Sequence, residues 1–342
     1  MSKSILRKDK VAEALSALGK QSVVYAPVKN KRGIVEYREL GKSASAAEIE
    51  LDGKPDTPPK AIIFPQTEVL LTYRKDKDGK FEVTPARPDE REKVIFGVRP
   101  CDAIGIAVMD KVFCGGKFTD PYYKARREKV TIFSIACDGP MDSYCFCPST
   151  GGSPAATEGS DVMMYDVGDS YYVEGVTEKG KKALEALKGQ LGKPSPEQEG
   201  RKEAIVEKAK SGEGFTRKIS AESIAKLDNS FDSKYWDDVA RRCLSCGACT
   251  YYCPTCHCFD INDEKGGERV RTWDSCQFGI FTMHTSGHNP RAVRAQKLRN
   301  RYYHKFKYSK DNIGRYLCVG CGRCIALCPA SLDITKAISE VK

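Results

Sequence analysis

Two runs of identical cysteine spacing, CLSCGACTYYCP at 243–254 and CVGCGRCIALCP at 318–329, constrain this chain more than any other feature. Each reads C-x2-C-x2-C-x3-C-P. Three cysteines on a tight turn wrap three corners of one 4Fe-4S cubane. The fourth starts a helix that leads away and serves the neighbouring cubane. Gly247 and Gly322 let the backbone approach closely, and Pro254 and Pro329 redirect the chain after the last cysteine. The spacing therefore predicts crossed pairing. Cys243, Cys246, Cys249 and Cys328 hold one 4Fe-4S cluster, and Cys318, Cys321, Cys324 and Cys253 hold the other. Zinc, the rival metal, usually takes two separated CxxC pairs and closes at four ligands, which this doubled run does not match.

Cys253 and Cys318 are separated by 64 residues, 254 to 317, far more than in small two-cluster ferredoxins. Helix-like segments in that insert point to a mostly α-helical ferredoxin-like C-terminal domain, assigned to 196–342. Residues 1–195 read instead as an α/β domain, with the polar, turn-rich GKPSPEQEG at 192–200 as linker. A chain of 342 residues is long enough for two such cores.

The first half carries strand-like stretches near 23–27, 33–37, 61–64, 69–73 and 94–98, and further strands are expected within 153–178. After VIFGV the chain runs Arg99-Pro100-Cys101 into a helix that Asp102 is placed to cap. DPYYKARRE at 120–128 is a short helix with Asp120 as cap, and VTIFSIAC at 130–137 is a buried strand. Cys101 and Cys137 thus each lie just past the C-terminal end of a strand, the sheet edge where ligands gather in α/β folds.

That placement bears on CDGPMDSYCFCPSTGG, 137–152, which holds three cysteines where a cubane needs four. Cys101 supplies the missing one if the two strands are parallel neighbours. Cys101, Cys137, Cys145 and Cys147 are then a third 4Fe-4S site, with Gly151 and Gly152 offering backbone N–H groups to its sulfurs. The alternatives are zinc, or small buried thiols beside a turn.

The motifs VRPCDAIGIAVMDKVF, DPYYKARRE, CFCPSTGGSP, CLSCGACTYYCPTCHCFDI, RVRTWDSC and CVGCGRCIALCP span most of the chain. Together they resemble the 4Fe-4S dicluster electron-transfer subunits of anaerobic sulfite reductases and the beta subunits of cytosolic sulfhydrogenases. CDAIGIA departs from the CDLRA-like run of many relatives. The resemblance implies a chain that carries electrons from a flavin-containing NAD(P)H or other input subunit to a catalytic reductase or hydrogenase subunit, or in the reverse direction.

Composition fits that class. The formal charge is +10, from 56 basic and 46 acidic residues. Each four-thiolate cubane adds about two negative charges, so three would lower the net charge to roughly +4. The basic excess then needs no nucleic acid as partner. The N-terminal MSKSILRKDKVAEALSALGK reads as an amphipathic helix rather than a secretion signal, and no apolar run suits a transmembrane segment. A reducing cytoplasm is the expected location. No G-x-G-x-x-G opens a strand–helix turn and no Ser/His/Asp set is evident, so neither a flavin or nicotinamide site nor a catalytic residue is assigned. A self-contained redox enzyme using the third cluster, and a cluster-stabilised nucleic-acid binder, are the competing readings.

Cys256, Cys258 and Cys276 remain, with His257 nearby. They read as buried thiols beside the ferredoxin clusters, with a fourth metal site as the alternative. Cys114 reads as a helix end, and His284 and His288 as a hydrogen-bonded loop. The basic, tyrosine-rich segment 291–310 offsets cluster charge or docks an acidic partner.

Overall fold

A computed structural model describes residues 3–41 and 49–342. Its first sheet has eight strands. These are β1 (Lys3–Arg7), β2 (Val23–Lys29), β3 (Val35–Glu39), β6 (Lys93–Val98), β7 (Val130–Ile135), β8 (Val162–Asp166), β9 (Ser170–Gly175) and β10 (Leu191–Gly192), in the spatial order β10-β1-β9-β8-β7-β6-β2-β3. The middle of the sheet, β2-β6-β7-β8, is parallel, and both flanks are antiparallel. KVIFGV of β6 is buried along its whole length, as a parallel strand covered on both faces must be.

Helices cover the two faces. Helices α1 (Val11–Leu18) and α4 (Glu178–Ala186) pack with Phe96, Phe133 and Met164 on one. Helices α2 (Pro100–Cys114) and α3 (Pro121–Glu128) pack with Ile95, Val98 and Ile132 on the other. Asp120 caps α3 through the Tyr123 amide, as expected. The N-terminal stretch differs from expectation: its first residues form strand β1 beside β9, and only 11–18 are α-helical. Residues 61–64 also differ. Pro59 starts a 3-10 turn there, and Ile63 and Phe64 are buried without forming a strand, because a short apolar run does not by itself set its period.

The segment read as a linker is ordered structure. Ser195 and Gln198 form a capping box at the start of α5 (Pro196–Ser211), and Ile205 and Val206 of that helix pack against Met163 and Tyr172 of the sheet. Helices α6 (Ala221–Ala225), α7 (Tyr235–Ala240), α8 (Ala248–Tyr251), α9 (Arg294–Tyr303), α10 (Ser309–Ile313), α11 (Arg323–Ala326) and α12 (Ile334–Ser339) follow. Their core gathers Trp236, Tyr302, Phe306, Ile334 and Ile338. Phe146, from the CFC loop of the first half, is also buried in that core.

The insert between the two cysteine runs is not wholly helical. Strands β11 (Phe259–Glu264) and β12 (Glu268–Trp273) form a hairpin, and β12 pairs with β4 (Thr67–Lys75), which pairs in turn with β5 (Phe81–Pro85). This second, antiparallel sheet in the order β11-β12-β4-β5 joins the two halves of the chain. Buried Arg271 of β12 fixes the joint, its guanidinium binding Glu68 and Asp120. Among the described residues, no helix is long and apolar enough to cross a membrane.

Candidate metal centres

Each cysteine run builds the same local shape. Gly247 and Gly322 sit at φ of 77° and 74°, immediately before the short helices α8 and α11. A side chain on Gly322 would fall 2.3 Å from the Tyr144 carbonyl oxygen, so the turn lies directly on the loop from the first half.

One pocket is lined by Cys243, Cys246 and Cys249 together with Cys328 of the other run. The structure thus brings together the four cysteines of the first crossed set. Cys324 also reaches this pocket, so the two sets are adjacent. In the second set, Cys253 lies close enough to Cys318, Cys321 and Cys324 to raise their thiol pKa values, though burial is the larger cause for each. Cys318 is pushed up to about 12.

A second pocket is lined by Cys101, Cys137, Cys145 and Cys147. Cys101 follows β6 and Cys137 follows β7, and these strands are parallel neighbours, so the sheet edge collects them as the sequence suggests. The CFC loop lines the pocket through Cys145 and Cys147 and is held by the second cysteine run, with the Phe146 amide donating to the Gly320 carbonyl at 2.8 Å. Gly151 and Gly152 do not present their amides as expected. Those N–H groups donate to the Pro148 and Cys147 carbonyls and close the loop on itself. Asp102 differs too. It does not cap α2, and its carboxylate instead binds Arg323.

The donor chemistry suits iron–sulfur clusters. The first and third sets offer thiols around a pocket rather than a closed cage, and among the described residues no group of three or more His, Cys, Asp and Glu side chains is arranged to hold a single ion. Burial raises the thiols of Cys137 and Cys249 to about 11, so metal must displace their protons to bind.

Sequence reasoning read 291–310, which holds Arg301 and Lys305, as a basic segment offsetting cluster charge or docking an acidic partner, but it singled out none of the buried cations and missed Lys54 and Lys60. Lys54 reaches Cys145 Sγ at 3.6 Å and the Cys321 carbonyl at 2.6 Å, and also pairs with Asp142. Arg301 donates to Cys256 Sγ at 3.3 Å and to the Cys249 carbonyl at 2.5 Å. Lys305 donates to Cys253 Sγ at 3.2 Å. Lys60 meets the Thr250 and Cys256 carbonyls and the face of Trp273, and desolvation lowers its pKa to about 8. The net charge of +10 is the available signal, but it does not say which cations go inside.

The remaining candidates take different places. Cys256, His257, Cys258 and Cys276 line a small buried pocket with Arg301 and His304. His257 Nδ1 lies 3.0 Å from the Thr255 carbonyl, and the ring is held neutral, with burial lowering its pKa to about 4. Cys114 ends α2. His284 and His288 belong to a tight loop in which the His284 amide donates to the His288 carbonyl.

A family model described as a 4Fe-4S dicluster domain matches residues 242–332. Sulfhydrogenase 2 subunit beta of Pyrococcus furiosus is 32% identical, over 98% of this chain and 97% of its own length. No solved structure matches. With the cysteine runs, the domain match and a full-length relative in agreement, the chain belongs to the sulfhydrogenase beta-subunit family of 4Fe-4S electron-transfer proteins.

Proposed function

We propose that this chain is the electron-relay component of a cytoplasmic oxidoreductase complex, with three 4Fe-4S clusters. Cys243, Cys246, Cys249 and Cys328 hold one, Cys318, Cys321, Cys324 and Cys253 the second, and Cys101, Cys137, Cys145 and Cys147 the third. The third belongs to an α/β domain of residues 1–195 and the other two to a ferredoxin-like, largely helical domain of residues 196–342. When bound, such clusters accept and give up single electrons. The partners are a flavin-containing NAD(P)H or other electron-input subunit, on one side, and a catalytic reductase or hydrogenase subunit on the other.

The observation that carries this reading is the continuity of the three cysteine sets. Cys324 borders the pocket of the first set, and Cys321 borders the pocket of the third. The protein's own contribution is to exclude water from these thiols and to hold cations against them. Cys246 is the exposed cysteine, which leaves the first set nearest to solvent and to a partner.

The test is a reconstitution assay. The purified, cluster-loaded chain should give no steady oxidation of NADH and no reduction of sulfite by itself. Activity should require both partner subunits, the flavin-containing one and the catalytic one. Sustained NADH-dependent turnover by the single chain would show instead a self-contained enzyme.

A further inference from the structure

Lys305 and Arg301 are cations almost completely removed from water, at 3% exposure each. A buried charge without a counter-charge is costly, because desolvation is not repaid. Among the described residues, their contacts do not supply a carboxylate. Lys305 Nζ donates to Cys253 Sγ at 3.2 Å, Thr255 Oγ1 at 2.8 Å and the Leu317 carbonyl at 2.8 Å. Arg301 binds the Cys249 carbonyl and the Cys256 sulfur. The missing negative charge must come from the sulfur side.

The backbone is shaped to deliver Lys305 to this place. Helix α9 widens into a single π-helical turn over His304–Tyr308, and such turns recur at functional positions. The Leu317 amide then donates back to the Lys305 carbonyl at 3.0 Å, tying the turn to the residue before Cys318. Lys305 is therefore clamped between Cys253, which ends one cysteine run, and the start of the other. Thr255 completes the clamp, its hydroxyl 3.2 Å from Cys253 Sγ.

We infer that Lys305 is a positioning residue that sets the reduction potential of the cluster ligated through Cys253, making that cluster easier to reduce. This rests on the ligand reading proposed above. Reduction adds one negative charge to the cluster, and a fixed cation and a hydrogen bond at a ligand sulfur both favour the added charge. Both effects have the same sign, so their removal lowers the potential.

The experiment is an anaerobic, EPR-monitored redox titration of the full, cluster-loaded chain, comparing wild type with Lys305→Met, Lys305→Arg and Cys253→Ser. In Lys305→Met, one cluster's ratio of oxidised to reduced form at a fixed poise should rise about tenfold, equivalent to about 59 mV for one electron. The other clusters should not move, and Lys305→Arg should restore most of the loss. Cys253→Ser should alter the same signal that Lys305→Met shifts. An unshifted midpoint in Lys305→Met, with Cys253→Ser still altering the expected cluster, overturns the role of Lys305 alone. If Cys253→Ser alters a cluster other than the one that moves, the ligand reading fails and the inference with it. Should Lys305→Met not assemble, Thr255→Val removes the clamp while leaving the charge. It should lower the same midpoint by a smaller amount, and no change there also overturns the inference.

Discussion

Asp102 and Arg323 form a buried two-point ion pair, with Oδ1 to Nη1 at 2.5 Å and Oδ2 to Nη2 at 2.7 Å. Asp102 follows Cys101, and Arg323 lies between Cys321 and Cys324, so the pair fixes the cysteine of the sheet edge against the second ferredoxin run. Both residues are essentially inaccessible to water. Arg323 adds a third bond, from Nε to the Pro55 carbonyl at 2.9 Å. The fork of Arg matches a carboxylate in a way that Lys could not.

Asp102→Ala should therefore be severe. Removing one partner leaves an uncompensated buried guanidinium, with an expected loss of about 3–5 kcal/mol. The double variant Asp102→Leu/Arg323→Met should recover much of that loss, because neither charge then remains buried. Thermal unfolding of the loaded protein under anaerobic conditions measures both, and equal destabilisation in the two variants would show that the pair is not the cause.

Gly320 tests the contact between the CFC loop and the second run. It has φ of 64°, and an added side chain would stand 2.4 Å from the Cys147 amide nitrogen. Gly320→Ala should displace the loop and reduce occupancy of the third site. Gly314 has φ of 71° and open space around it among the described residues, so Gly314→Ala should carry only the backbone penalty, about 1 kcal/mol. Iron content of the two variants, compared directly, separates steric displacement from a general glycine effect.

The crossed pairing makes an unusual demand on Cys328. Cys328→Ser should damage the cluster held by Cys243, Cys246 and Cys249, and spare the cluster of its own run. EPR of the variant decides the matter. Loss of the Cys318 cluster in its place would rule the crossing out.

Much of this arrangement is legible in the sequence, and the reasons differ from one feature to the next. The spacing of Cys243 to Pro254 and of Cys318 to Pro329 is a local rule, so the motifs can be read directly. Cys101 and Cys137 can be joined because each follows a strand of the buried, parallel type, and β6 and β7 are indeed neighbours. Asp102 misleads because its position after Arg99-Pro100 also suits a helix cap, and only tertiary contact reveals Arg323, 221 positions away. The hairpin of 259–273 escapes sequence reading, because FDINDE is exposed throughout, its Phe259 and Ile261 included, and gains its place from pairing through β12 with distant β4. Lys305 cannot be singled out within a run of basic residues whose buried face depends on the fold.

Removing the clusters should weaken one region more than the rest. Without them, Lys305, Arg301 and the cysteine loops lose their counter-charge, while the packed strands β6 and β7 keep their apolar core. Hydrogen exchange of chelator-stripped protein should show the largest gain in exchange over 294–317 and the two cysteine runs, with β6 and β7 still protected. Uniform exchange across the chain would mean that the clusters hold the whole fold together.

Three cluster sites built from twelve cysteines are the centre of the proposal, and the most direct test is a count of iron and acid-labile sulfide per chain after anaerobic reconstitution. Three 4Fe-4S clusters predict about twelve of each. Cys147→Ala should bring the count down to about eight and leave the two ferredoxin signals intact. A wild-type value of about eight, unchanged by Cys147→Ala, would contradict the proposal and leave Cys101, Cys137, Cys145 and Cys147 as buried thiols.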